Sequence, residues 1–278
     1  MDPIINWNEL WKVYHASSPS RAKRDRDPGA VWDKRASTYA LMTDDAKEVA
    51  AREVGMMNLR PPDTVLDVGA GNGRLTVPLA SKVAHVTALD ASGAMLDLLA
   101  ENMHRAGQSN FSVIRKRWED VVPLKDVAPH DVVMDSFTLG FYDLQEALHK
   151  INDLALRVVY LFWHAGEWRS GEEVDLYRMV FGDEAGRQWG YPDYLHVLNI
   201  LHDMGIFASA HIYAASWKTH YASPEEAAVH WMRMHEAQEN YLMEVTEHFS
   251  QVLVPVTTGG FFHTVTRRQA MIWWTKKE

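Results

Sequence analysis

The chain has 278 residues, 47% apolar and 23% charged, which suits one large soluble domain or two small ones with a sizeable core. A formal net charge of −9 disfavours binding to the phosphate backbone of bulk nucleic acid. There is no cysteine, which excludes disulfides, thiolate metal sites and a cysteine nucleophile.

The opening stretch "MDPIINWNELW" has neither a basic nor an apolar leader region. The most apolar stretch, Ile151 to Ala165, carries Asp153 and Arg157 and is too short to span a bilayer. A cytoplasmic protein with no membrane contact is the expectation. Trp7, Leu10, Trp11 and Tyr14 recur at helical spacing and predict an amphipathic helix. "SPSRAKRDRDPGA", Ser18 to Ala30, reads as a polar loop, and Asp44 to Met57 reads as a second helix.

From Thr64 the texture changes. "TVLDVGA", "HVTALDAS", "FSVIRKR", "HDVVMDSFTLG" and "LRVVYLFWHA" read as strands. "GRLTVPLASK", "GAMLDLLAENMHRAG" and "LQEALHKIN" read as the helices between them. Strands alternating with helices predict a parallel sheet with right-handed crossovers. Further on, Pro192 to Gly205 reads as a helix and "IFASAHIYAASW" as a strand. Ser223, Pro224 and Glu226 form a capping box that opens a helical stretch running to about Val254, and "RRQAMIWWTK" is a last strand. The expected fold is α/β, a seven-stranded mostly parallel sheet with helices on both faces. An N-terminal helical cap and a helical insertion before the last strand complete it.

Gly69, Gly71 and Gly73 follow the first strand, where a doubly wound sheet binds its ligand. A dinucleotide fingerprint, G-x-G-x-x-G, would put its third glycine at position 74, which is Arg74. Asp67 stands two residues before the first glycine. A carboxylate there is a poor neighbour for pyrophosphate. It suits a cationic ligand, or it orders the loop amides. Asp90 ends the second strand, where an acid accepts ribose hydroxyls.

"VLDVGAGNGR" resembles motif I of the class I S-adenosylmethionine-dependent methyltransferases, and "LDASGAML" resembles the segment that follows the second strand there. The likeness covers Trp32 to Trp163, about half of the chain. It implies a Rossmann-like fold and S-adenosyl-L-methionine as cofactor, leaving S-adenosyl-L-homocysteine as product. By the same likeness Gly69, Ala70 and Gly71 cradle the cofactor, Asp90 and Ala91 meet the ribose, and Met95 packs near the adenine. "RWED" would bring Trp118 and Glu119 to the adenine edge. "WDKRASTYA" resembles a leading segment whose tyrosine, Tyr39, closes over the methionine end. Asp135 and Ser136 would face the methionyl group and the transferred methyl.

Each has a plainer reading beside it. Asp67 and Asp135 serve equally as local caps, Trp118 as core, and Tyr39 as a helix-packing ring. His164, at the end of the fifth strand, is the candidate general base. His230, Met234 and His235 fit helix packing better than a metal site, and no metal is expected.

The likeness makes residues 1–278 one methyltransferase domain. Residues 1–58 form the cap, 59–164 the cofactor core and 165–192 a candidate lid. Residues 193–278 complete the sheet, with the insertion at 223–254. "DSFT" departs from the Asn/Asp-Pro-Pro-Tyr/Phe pattern of amino-methylating nucleic-acid enzymes, and a C5-pyrimidine mechanism needs a thiolate. A small-molecule acceptor methylated on O, N or S is therefore expected, with no DNA. A protein or RNA methyltransferase and a non-catalytic nucleotide-binding protein remain as alternatives. Trp231, Met232, Met234, Tyr241 and Met243 in the insertion suit an acceptor pocket, a homodimer face or ordinary packing.

Overall fold

The computed structural model describes residues 5–17, 27–44, 46–166, 171–183 and 192–276. Two helices precede the sheet's own α/β units: α1 (Trp7–Ala16) and α2 (Pro28–Asp44). Then come α3 (Lys47–Met56), β1 (Thr64–Val68), α4 (Thr76–Ala80), β2 (His85–Asp90), α5 (Gly93–Arg105), β3 (Phe111–Arg115), β4 (His130–Ser136), α6 (Leu144–Leu154) and β5 (Ala155–His164). The rest is α7 (Gly171–Phe181), α8 (Tyr194–Asp203), β6 (Ser209–Tyr221), α9 (Pro224–His235), α10 (Leu242–Val252), β7 (Val254–Pro255) and β8 (Phe261–Thr275).

The strand order is β3-β2-β1-β4-β5-β8-β6. The first five run parallel, and β8 lies antiparallel between β5 and β6. The expected seven strands are joined by an eighth, the two-residue β7 on the edge of β8. The reversal of order between β1 and β4 opens a crevice at the carboxyl edge, the usual ligand position of such sheets.

Both faces are packed because buried parallel strands are apolar on both sides. On one face Val68, Val133, Leu161 and Trp163 meet α1, α6 and α8. On the other Val65, Met134, Tyr160 and Phe162 meet α3, α4 and α5. A third cluster joins α7 to the insertion through Leu176, Val180, Ala228, Met232 and Phe249. There Met232 is buried, whereas Met243 is 79% exposed. The candidate lid, 165–192, lies partly outside the described residues, and its described part is largely α7.

Two helix starts differ from the sequence reading. The polar tract was expected to stay loop through Ala30, but α2 begins at Pro28. Asp27 caps it by accepting from the Ala30 amide at 3.0 Å, and proline is well suited to the first helical turn. Likewise Pro192 stands outside α8, whose cap is Asp193, accepting from the Leu195 amide at 2.9 Å. The capping box of α9 is present, with Ser223 Oγ accepting from the Glu226 amide at 3.1 Å. The insertion breaks at Glu236, which takes the left-handed φ of 54° that often ends a helix.

Beyond Gln269, β6 and β8 leave β5 behind and continue as a hairpin from Ala214↔Arg268 to Tyr221↔Phe261. Because β6 runs parallel to β5, that hairpin projects past the carboxyl edge and carries α9 and α10 there. No described helix is long and apolar enough to cross a membrane.

Helix α1 clamps the loop after β4. The Trp11 indole N–H donates to Phe141 O at 2.8 Å, His15 Nε2 lies 2.7 Å from Gly140 O, and Lys12 pairs with Asp143 at 2.8 Å. Trp11 has no exposed surface. Truncating it leaves a cavity and an unpaired carbonyl. Trp11→Ala is expected to lower stability by about 3–5 kcal/mol in urea unfolding.

Candidate active site

The glycine loop joins β1 to α4 through three positive φ values, 70° at Gly69, 55° at Gly71 and 85° at Gly73. The reasons differ along it. A Cβ on Gly69 would sit 2.4 Å from the Thr138 side chain, so that glycine is required for packing. A Cβ on Gly71 would meet only the Tyr39 ring, in ordinary van der Waals contact at 3.9 Å, so it is the positive φ and not crowding that calls for glycine there. The Gly69 and Ala70 amides both donate to Leu89 O, at 2.7 and 3.0 Å.

Asp90 holds the loop from β2. Its carboxylate accepts from the Gly71 amide at 2.9 Å and the Ser92 amide at 2.8 Å. Burial pushes its pKa up, and the amide bonds from Ser92, Gly71 and Ala91 pull against that rise. The three amides leave about one of its four lone-pair sites for a ligand hydroxyl. Met95 is buried at the start of α5, where its amide donates to Ser92 Oγ at 3.1 Å. Helix α2 crosses above. A Cβ on Gly29 would come within 2.7 Å of Ala91 O, and Asp33 accepts from Ser92 Oγ at 2.5 Å and the Ala94 amide at 3.0 Å.

Trp118 is buried in the core cluster beneath α6, with its indole N–H donating to Ala147 O at 3.3 Å. Glu119 follows in the same turn, and its carbonyl accepts from Lys150 Nζ at 2.7 Å. Asp67 and Asp135 are enclosed. Asp67 accepts from Thr76 Oγ1 at 2.6 Å, and burial raises its pKa to about 6. Asp135 accepts from the Thr138 hydroxyl and from the Thr138 amide at 3.1 Å. Ser136 accepts from Arg74 Nη2 at 2.7 Å.

That arginine opens a network the sequence reading did not include. Arg74 Nη1 pairs with Glu53 of α3 at 2.5 Å, and Tyr213 of β6 donates to the other Glu53 oxygen at 2.8 Å. Glu53 has no exposed surface. Burial works against the Arg74 charge, and the Glu53 carboxylate more than offsets it, so the guanidinium stays protonated. The available signal was a glutamate beside Val49, Ala50 and Val54 on the apolar face of a helix, where an unpaired charge is not tolerated.

His164 is 7% exposed, and its ring lies 4.9 Å from Phe137 and 4.8 Å from Trp163. Phe137 holds a φ of 61°, an outlier for a bulky residue and a conformation that concentrates at functional sites. The insertion histidines carry hydrogen bonds. His230 Nε2 lies 2.9 Å from Thr38 O, and His235 Nδ1 meets the Tyr177 hydroxyl. Among the described residues no group of three or more candidate ligands could hold a metal ion.

Residues 65–156 match the family described as "Methyltransferase domain". An uncharacterized protein of Haemophilus influenzae is 31% identical over 189 residues, which is 66% of this chain and 65% of that one. Shorter matches run to two named enzymes. A probable cobalt-precorrin-6B C(15)-methyltransferase (decarboxylating) of Methanocaldococcus jannaschii is 33% identical over 27% of this chain and 42% of that one. The 23S rRNA (uracil(1939)-C(5))-methyltransferase RlmD of Klebsiella pneumoniae is 33% identical over 38% of this chain and 24% of that one. The chain thus spans just under two thirds of the first relative and less than half of the other two. A solved structure of a candidate methyltransferase from Bacillus halodurans shares the fold, with a TM-score of 0.55 at 14% identity over 82% of this chain and 99% of that one.

Residues 65–156 thus carry a methyltransferase domain, and motif and sheet order resemble those of the class I S-adenosylmethionine-dependent methyltransferases. S-adenosylmethionine is the cofactor of that class, and the residues present fit it. The Gly71 backbone has only the Tyr39 ring near it, Asp90 has a lone pair to spare, and no glycine-paved pyrophosphate cradle follows because Arg74 stands there.

Burial raises the Asp135 carboxyl to about 7, against the lowering effect of the Thr138 hydrogen bonds. The folded chain then holds a proton that the unfolded chain releases near pH 4, so this contribution to stability is full in acid and lost as pH rises to 7. Between pH 5 and pH 8, urea unfolding is expected to show the wild type losing about 2–3 kcal/mol more than Asp135→Asn.

Proposed function

We propose that the chain transfers a methyl group to an O, N or S atom of a small-molecule acceptor. S-adenosylmethionine supplies the activated methyl on its sulfonium. The protein's part is to align acceptor and methyl and to exclude water. Proximity of that kind contributes on the order of 7–11 kcal/mol in favourable cases.

The observation that carries this reading is the roof over the carboxyl edge. Helix α2 starts against Ala91 and meets the insertion at its middle, where Arg35 pairs with Glu236 at 3.3 Å and Thr38 O meets His230, and Tyr39 follows over Gly71. A roof held at its start and its middle suits a metabolite better than an RNA or a protein segment. The charge of −9 argues in the same direction. The absence of cysteine removes the thiolate route to pyrimidine C5, whatever the likeness to an RNA enzyme. His164, at the end of β5 and against Phe137, is in this reading the group that takes up a proton leaving the acceptor.

Two measurements test the reading. S-adenosylhomocysteine is expected to bind at micromolar levels by calorimetry while NAD does not. Gly71→Arg, which adds a side chain to the uncrowded backbone of the loop, and Asp90→Ala are each expected to weaken that binding at least about tenfold. Equal binding by both variants and wild type would sink the site. Second, cofactor with a tritiated methyl, incubated with the chain and a cell extract, is expected to label the low-mass filtrate. Label confined to protein or RNA would move the function to the macromolecular alternative.

A further inference from the structure

At the point where β5 ends, four adjacent strands present polar side chains on one face of a sheet that is otherwise apolar there. His164 of β5 is paired with Gln269 of β8, and Gln269 in turn with Tyr213 of β6. Residues paired across antiparallel strands share a face, with their Cβ atoms roughly 4.5–5.5 Å apart. On β4, Ser136 lies one strand further along and holds Arg74, which reaches Tyr213 through Glu53.

Tyr213, Arg74 and Ser136 satisfy one another. Gln269 is different. It is 6% exposed, and its side-chain oxygen is enclosed without a hydrogen-bond partner. An enclosed, unpaired carbonyl lowers stability, and native proteins hold few of them. An apolar side chain of similar shape would pack there without that cost. The position is also a particular one. Gln269 is the last residue of β8 that pairs with β5, directly opposite His164, whose ring contacts the strained Phe137 at the end of β4. The unpaired oxygen therefore sits at the carboxyl end of β5, on the strand position next to His164.

We infer that Gln269 is a specificity-determining residue, and that its amide oxygen receives a hydrogen bond from an N–H or O–H group of the acceptor. The acceptor class is then a small molecule with an amine, amide or hydroxyl donor next to the atom that is methylated. Analogues that lack the donor leave the oxygen buried and unpaired, which is how a site built for a hydrogen bond rejects them. The inference rests on the methyl-transfer reading above.

The test compares wild type with Gln269→Met in three measurements. The probe is the extract filtrate below 3 kDa (a laboratory cut-off of about that size), given in a dilution series with tritiated cofactor. The variant is expected to need at least about tenfold more filtrate for half-maximal labelling, while S-adenosylhomocysteine binding stays within about twofold of wild type. Its thermal midpoint is expected to rise by about 2 °C or more, because an unsatisfied buried group has been removed. A filtrate requirement equal to wild type, or a lowered midpoint, would overturn the role of Gln269. If wild type labels protein or RNA instead of the filtrate, the small-molecule reading fails by itself, and the same comparison on the labelled fraction decides the role of Gln269. If wild type fails to bind S-adenosylhomocysteine, both readings fall.

Discussion

The ion pair between Glu53 and Arg74 is the interaction on which the rest of the carboxyl edge depends. A carboxylate without exposed surface is tolerated only when its charge is met, and Arg74 meets it from the turn that follows the glycine loop. Removing one partner of such a pair typically costs about 3–5 kcal/mol, because the other charge is left buried. The pair ties four elements together. Glu53 comes from α3 and Arg74 from the loop after β1, while Ser136 of β4 and Tyr213 of β6 complete their hydrogen bonds. The glycine loop is thereby held against β4 and β6. The residue that breaks the dinucleotide pattern is thus the one that organises the edge.

A second constraint is the enclosure of acids. Asp67 and Asp135 lie on adjacent strands at the same edge, and burial holds both carboxyls above the ordinary range. Each is met by a threonine that follows its strand, Thr76 at the start of α4 and Thr138 in the loop after β4. These acids order the turns, and Asp90 does the same for the loop amides from β2. The uncrowded backbone of Gly71 and the remaining lone pair of Asp90 are what the edge offers to a ligand. Above it, α2 is stapled to α5 by Asp33 and to α9 by His230, so the roof is part of the fold and not an ornament on it.

The alternation of strands and helices from Thr64 to His164 was legible because it is written in local chemistry. Apolar β-branched runs mark buried strands, glycines mark the turns, and Ser92 and Ser223 cap helices through bonds three residues away. Where local chemistry is ambiguous, the reading slipped. Asp27, Pro28 and Gly29 are turn-forming residues, yet they are equally good at starting a helix, and packing against Ala91 selected the helix. The resemblance set Ser136 beside the methionyl group and the transferred methyl. The structure adds that its hydroxyl accepts from an arginine 62 residues away in sequence, which no local pattern announces.

By itself, then, the amino-acid order determined the parallel core, the glycine turn with its flanking acids, and the methyltransferase resemblance they carry. These depend on spacings of a few residues along one chain segment. Only the tertiary structure decided that Glu53 answers Arg74, that α2 spans from Ala91 to the insertion, and that Gln269 stands opposite His164 with its oxygen enclosed. Those facts depend on strand register and on which helix face meets which strand. Register is a property of the whole sheet, because a slip of one residue would turn every side chain to the other face.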